Sequence, residues 1–169
     1  VLIVDSVAVT PGDVFQTESL FVTLQARNVG EASANVTSAS VTFNTAGVDD
    51  TPAYIQTPDA GNPATLTGNT SATFQITVSV GSEAVPGIAD INGVLRGLDA
   101  NSGALVEDTT ASVTASALIK LLDTTGPKIL FANPADGSIN VQTNTDLYVT
   151  FDRPVDETTV DASAFTVQQ

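Results

Sequence analysis

Apolar and polar residues alternate with a period of two through most of the chain, and no stretch of helical length carries a convincing 3.6-residue period. Leu20, Val22, Leu24 and Ala26 fall on one side of an extended segment, while Thr23, Gln25 and Arg27 fall on the other. A strand with one face in a core and one in water requires this pattern. Ala39, Val41 and Phe43 repeat it against Ser38, Ser40 and Thr42. The clearest case is Ala72, Phe74, Ile76, Val78 and Val80, interleaved with Thr73, Gln75, Thr77 and Ser79. Further strands are expected over 2–9, 53–57, 88–96, 105–107 and 111–119. Turn signals separate them, among them Pro11-Gly12-Asp13, Asn28-Val29-Gly30, Gly61-Asn62-Pro63, Val85-Pro86-Gly87 and Asn101-Ser102-Gly103. Seven or so short strands at this spacing read as an antiparallel β-sandwich.

Composition narrows the picture. The 169 residues suffice for one sandwich plus part of another. Hydrophobic residues make up 42% of the chain and aromatics only 5%, so the interior is built on Val, Leu, Ile and Ala. Nineteen acidic against five basic residues leave a net charge of −14, a field that repels phosphate backbones and anionic headgroups. Nucleic acid is therefore not expected as a partner. No run approaches the roughly 20 apolar residues of a membrane span, and membrane insertion is not expected either. The chain opens at Val1 without a charged and apolar leader, so export would depend on a signal upstream or already removed.

Two stretches resemble known families. Pro11-Gly12, the strand over 20–27, Asn28-Val29-Gly30-Glu31-Ala32, Thr70-Ser71-Ala72-Thr73-Phe74 and Val85-Pro86-Gly87-Ile88 resemble the CARDB family of adhesion-related bacterial Ig-like domains, over about residues 1–120. Asp123-Thr124-Thr125-Gly126-Pro127, Asn133-Pro134-Ala135-Asp136-Gly137 and the run from Leu147 to Asp156 resemble the start of an SbsA-type bacterial Ig-like domain, the kind found in S-layer and secreted multidomain proteins. That second resemblance implies a buried strand at 128–132 and further strands at 146–151 and within 158–167. A sandwich of this type usually takes about 100 residues, so 123–169 is expected to be the N-terminal part of a second domain. The expected architecture is all-β: an Ig-like sandwich over 1–122, then a partial second sandwich. Neither resemblance carries catalytic residues.

The inventory of reactive groups points the same way. Without His or Cys the chain has no imidazole-based triad, no thiolate nucleophile and no nitrogen or sulfur zinc site. A carboxylate pair could still hydrolyse a glycoside, but such clefts are lined by aromatic platforms, and Trp is absent while Tyr54 and Tyr148 are the only tyrosines. The chain is not expected to be an enzyme, and no cofactor is expected unless it is calcium. Asp99-Ala100-Asn101-Ser102-Gly103 matches the opening of an oxygen-ligand loop with Asp99 and Asn101 as donors, although Thr110 stands where a closing Glu belongs. The alternative is a hairpin turn capped by Asx hydrogen bonds. Asp49 with Asp50, and Asp123 with Asp136 at the junction, are the other calcium candidates. Asn35-Val36-Thr37 and Asn69-Thr70-Ser71 match the glycan acceptor pattern, which arises easily in a chain so rich in Thr and Ser.

The expected function is a non-catalytic structural or adhesive module of an extracellular, cell-surface protein: a spacer, stalk, S-layer or fibre component. Its partners would be neighbouring Ig-like modules or copies of itself, or a surface polymer or protein ligand. A ligand-binding accessory module of a secreted hydrolase and a fibre subunit assembled by strand complementation are the alternatives.

Overall fold

A computed structural model describes residues 1–122, 126–135 and 137–155. The chain forms two compact units, Val1–Leu122 and Asp123–Gln169. The first carries β1 (Leu2–Thr10), β2 (Asp13–Phe15), β3 (Ser19–Asn28), β4 (Ala34–Thr45), β5 (Val48–Asp49), β6 (Tyr54–Pro58), β7 (Thr65–Leu66), β8 (Thr70–Val80), β9 (Gly87–Asp99), β10 (Leu105–Asp108) and β11 (Ala115–Lys120). The second carries β12 (Ile129–Asn133) and β13 (Tyr148–Phe151).

The first unit is a β-sandwich. One sheet, here the front sheet, has the order β1-β3-β8-β6; the back sheet has the order β2-β11-β9-β4-β5, with β10 added to β9 and β7 to β4. The period-2 strands behave as their sequence demands. Along β3 and the C-terminal two thirds of β8, buried and exposed residues alternate without interruption. The inward residues of both sheets, among them Leu20, Leu24, Phe74, Ile76, Phe43, Ile91, Leu95 and Ile119, make one continuous core.

Two strands change phase partway. In β1 the buried residues are Leu2 and Val4, then Val7; in β4 they are Ala34, then Ala39, Val41 and Phe43. Each change coincides with a register shift, between Val4 and Ser6 in β1 and between Val36 and Ser38 in β4. The extra residue, Asp5 or Thr37, bends the strand and restores the apolar set to the core. Gly93 faces the opposite sheet with no room for a side chain: a Cβ there would stand 2.9 Å from Val4 Cγ1 and 3.0 Å from Leu24 Cδ2. The isolated glycine inside a strand makes room for the opposite sheet.

Several sequence expectations need correction. Residues 111–119 do not form one strand; 111–114 is irregular and β11 begins at Ala115. The reason is competition for one edge of β9, whose C-terminal part pairs with β10 and whose N-terminal part pairs with β11. Asn92 fills the gap between them, donating to Thr109 O at 2.7 Å and accepting from Ala111 N at 2.8 Å. Asp13 opens β2 instead of closing a turn, and β2 runs parallel to β11, so the sandwich is not wholly antiparallel. Residues 51–53 form a 3-10 turn, and the strand begins at Tyr54.

In the second unit β12 and β13 pair antiparallel, with Phe131 and Tyr148 ring centroids 5.6 Å apart. Lys128 N–H donates to Asp152 Oδ1 at 2.8 Å and Asp152 N–H to Lys128 O at 2.9 Å, closing one end of the pair. Among the described residues of this unit no large apolar side chain is buried. The strand expected within 158–167 lies outside the described residues.

Candidate functional site

The calcium candidates fall in turns that use their own oxygens. Asp99 Oδ1 accepts from Asn101 N at 3.0 Å, Ser102 N at 2.8 Å and Ser102 Oγ at 3.0 Å. The Ser102 N–H leads these donors in holding the Asp99 carboxyl below the ordinary carboxylate range. Asp49 is exposed and accepts from Thr51 N at 3.0 Å; the Thr51 hydroxyl first and its N–H second hold the Asp49 carboxyl below the ordinary range. Asp50 is turned inward instead: its Oδ2 accepts from Val85 N at 2.9 Å and Thr45 Oγ1 at 3.5 Å, tying two loops together. Asp49 ends β5 while Asp50, at φ −105° and ψ 3°, opens the 3-10 turn, and the two serve different neighbours. Among the described residues no group of three or more acidic side chains is placed to hold a metal ion. Asp123 and Asp136 lie outside the described residues.

Two other polar groups are buried for structural ends. Asn28, 1% exposed, donates to Ala32 O at 2.8 Å and Leu66 O at 3.1 Å and accepts from Gly30 N at 3.0 Å. It thereby fixes the Asn28-Val29-Gly30 turn against the 66–68 segment. The approach there is so close that a Cβ on Gly68 would lie 2.0 Å from Glu31 O. Tyr54, 5% exposed, stacks on Phe43 with centroids 3.8 Å apart. Its hydroxyl has no hydrogen-bond partner among the described residues. Burial first, and the nearby Asp50 carboxylate second, push its pKa up to about 12.

The sheet edges of the first unit are occupied or short. Along β1, Val4 N–H donates to Asp108 Oδ2 at 2.8 Å, Ser112 N–H to Val4 O at 2.9 Å and Val7 N–H to Val113 O at 2.9 Å. On the outer side of β4, between β5 and β7, the Gln56 side chain pairs with Val41 N at 2.8 Å and Val41 O at 2.7 Å, as a strand backbone would. Thr51 Oγ1 accepts from Phe43 N at 2.9 Å. The remaining edges, β6 with five residues ending in Pro58 and β2 with three, are brief. Such edges resist adding a strand from another chain.

A shallow groove of about 150 Å³ opens on the outer face of the front sheet, lined by Phe21, Thr23, Asp59, Gln75 and Thr77 and floored by the backbone of β3 and β8. Phe21 pairs with Thr77 and Thr23 with Gln75. Past Pro58 the chain leaves β6, and the following loop takes over the edge of β8. Asp59 N–H donates to Gln75 O at 2.9 Å, Asn62 Nδ2 donates to the same oxygen at 2.8 Å, and Gln75 N–H donates to Asn62 Oδ1 at 2.7 Å. Sequence reasoning did not single out this groove. The signal was there in part, because Phe21 sits at an outward position between Leu20 and Val22, and it is 57% exposed; the loop that joins it could not be read from any pattern.

Residues 123–169 match the sequence profile of a bacterial Ig-like domain, Big_5. The second unit resembles a bacterial Ig-like domain. No curated protein matches the chain. Solved structures that align with part of the chain are the seventh ScaB type I cohesin from Pseudobacteroides cellulosolvens, at 12% identity and TM-score 0.33, covering 72% of this chain and 94% of that one; the secreted serine protease VesC from Vibrio cholerae, at 13% and 0.35, covering 68% of this chain and 22% of that one; and the E. coli chaperone DraB, at 16% and 0.36, covering 73% of this chain and 58% of that one. This chain therefore aligns with less than two thirds of the length of VesC and of DraB. At such TM-scores the fold assignment rests on the strand order and registers themselves. Among the described residues no helix is long and apolar enough to cross a membrane.

Proposed function

We propose that the chain is a non-catalytic structural or adhesive module of an extracellular, cell-surface multidomain protein, with a CARDB-like first domain and the N-terminal part of an SbsA-type second one. The observation that carries this reading is succession: a sandwich with its own core over Val1–Leu122 is followed at once by residues that match a bacterial Ig-like domain. Modules in series with short junctions make spacers and stalks. The absence of His and Cys from the sequence agrees with it. The test is protease shaving of intact cells that make the native protein, with mass spectrometry of the released peptides. Release of peptides from 1–169 before any cytosolic marker supports the reading; their appearance only after lysis overturns it.

A second reading, a fibre subunit completed by a strand from a neighbour, is favoured by the exposed Ile129, Phe131 and Leu147 of the second unit. Burying each would contribute about 1.5–3 kcal/mol. The edges of the first unit are in part capped by side chains and loops and otherwise brief, which makes the exposed strands of the second unit the more favourable place for such pairing. Light scattering over a range of concentrations separates the readings, since complementation produces association and a spacer stays monomeric.

A further inference from the structure

The outward face of the front sheet differs in chemistry from the rest of this acidic chain. The outward residues of β8 are Ser71, Thr73, Gln75, Thr77 and Ser79, and β3 adds Thr23 and Gln25. On those two strands the one charge facing out is Arg27, neutralised by Asp5 at 3.0 Å. In a chain of net charge −14, a sheet face of hydroxyls and amides is a local exception. We propose that this face, centred on the Phe21 groove, binds a neutral polysaccharide by seating single pyranose rings. The proposal deepens the adhesive reading above and rests on it for its biological setting.

The chemistry follows from the lining. Hydroxyls and amides both donate and accept hydrogen bonds, so Thr23, Thr77 and Gln75 can match sugar hydroxyls in either sense. The exposed Phe21 ring offers an aromatic surface to the C–H face of a pyranose, the same use of aromatic area that dominates recognition elsewhere. Residues two apart on a strand are separated by about 7 Å and neighbouring strands by about 5 Å. The Phe21, Thr23, Gln75 and Thr77 rectangle is thus close to the outline of one sugar ring, and the groove holds about 150 Å³. The hydrogen bonds of Asn62 and Asp59 to the Gln75 main-chain N–H and carbonyl fix the strand edge beside the groove before any ligand arrives, so that edge need not be ordered on binding. Asp59 is the single charged residue lining the groove; it accepts from sugar hydroxyls and repels uronates. That selects neutral over acidic polymers.

The test is calorimetric titration and amide NMR mapping of the full chain with three hexasaccharides: β-1,4-linked glucose, β-1,4-linked N-acetylglucosamine, and galacturonate. Saturable millimolar binding of at least one neutral probe is expected, with shifts confined to the amides around Phe21, Thr23, Gln75 and Thr77. Phe21→Ala and Gln75→Ala should each weaken it by about tenfold at unchanged melting temperature, and Ile55→Ala, on the same face but outside the groove, should leave it as it was. No binding of either neutral probe, equal binding of galacturonate, or a Phe21→Ala chain that binds like the parent would overturn the proposal. Shaved surface peptides with no glycan binding would remove only this inference; glycan binding by a protein found in the cytosol would remove only the surface reading.

Discussion

Phe74 and Phe131 both sit in strands whose apolar and polar residues alternate, yet one ring is 0% exposed and the other 52%. In the Val1–Leu122 unit each sheet supplies the cover for the other, and the outward residues are the ones that write the polar half of the pattern. Among the described residues of the second unit there is one pair of strands, in which Val149 and Phe151 are half-buried while Ile129, Leu130, Phe131 and Tyr148 are exposed. Alternation therefore specifies which side chains share a face, and burial depends on whether a second layer is present to meet that face. The first unit accordingly has a core of its own, and the second is where additional chain or a partner would add most.

The largest expected effect comes from truncating the same residue type in the two settings. Phe74→Ala should destabilise the first unit by about 3–5 kcal/mol, as loss of a core aromatic does. Phe131→Ala should cost under about 1 kcal/mol. Urea unfolding of the two variants measures both, and equal losses would mean that the second unit has a packed core after all. Asn28→Leu comes next: it strands Ala32 O, Leu66 O and Gly30 N, and should lower the stability of the first unit by about 2–4 kcal/mol while leaving peptide release from the second unit unchanged in limited proteolysis. A simultaneous change in both would show that the two units do not unfold independently.

Tyr54 gives a pH-dependent version of the same contrast. Its pKa is raised from 10.0 to about 12, so the folded state keeps the phenol proton where the unfolded chain gives it up. The contribution is fully present below pH 10 and is lost as pH rises towards 12, by about 2–3 kcal/mol in total. Tyr54→Phe should flatten this alkaline loss in denaturation curves of the first unit; an unchanged slope would place its origin elsewhere. The smallest effect is expected from calcium. Because Asp49 and Asp99 already accept hydrogen bonds within their own loops and Asp50 accepts one from Val85 N–H, melting curves in millimolar calcium and in chelator should coincide, and a higher melting temperature in calcium would restore Asp99 and Asn101 as ligands.

Much of the first unit was legible because its longest strands have one buried face. The parity of β3 and β8 named the core residues directly, and the Asn28-Val29-Gly30 turn was visible from its residue types. What escaped was non-local. The bulges at Asp5 and Thr37 show in the sequence only as a change of phase, which reads equally well as two strands or as a turn. The division of one β9 edge between β10 and β11, and the parallel addition of β2, depend on pairings between residues far apart in sequence. The Asp99 loop was recognised as a turn or an ion site, and only the placement of Ser102 displayed how its oxygen is used.

By itself, the order of residues determined the all-β character, the inward side of β3, of β8 and of the 39–43 part of β4, and the acidic, His-free and Cys-free chemistry, because these depend on side-chain type and on a backbone period of two. Tertiary structure alone decided which strands became neighbours, which edges were closed by Gln56, Asp108 and Asn62, and that Phe21 lies beside Gln75 in a groove. Those outcomes arise from contacts between segments tens of residues apart. A local pattern constrains such contacts only by demanding that each apolar face find a cover.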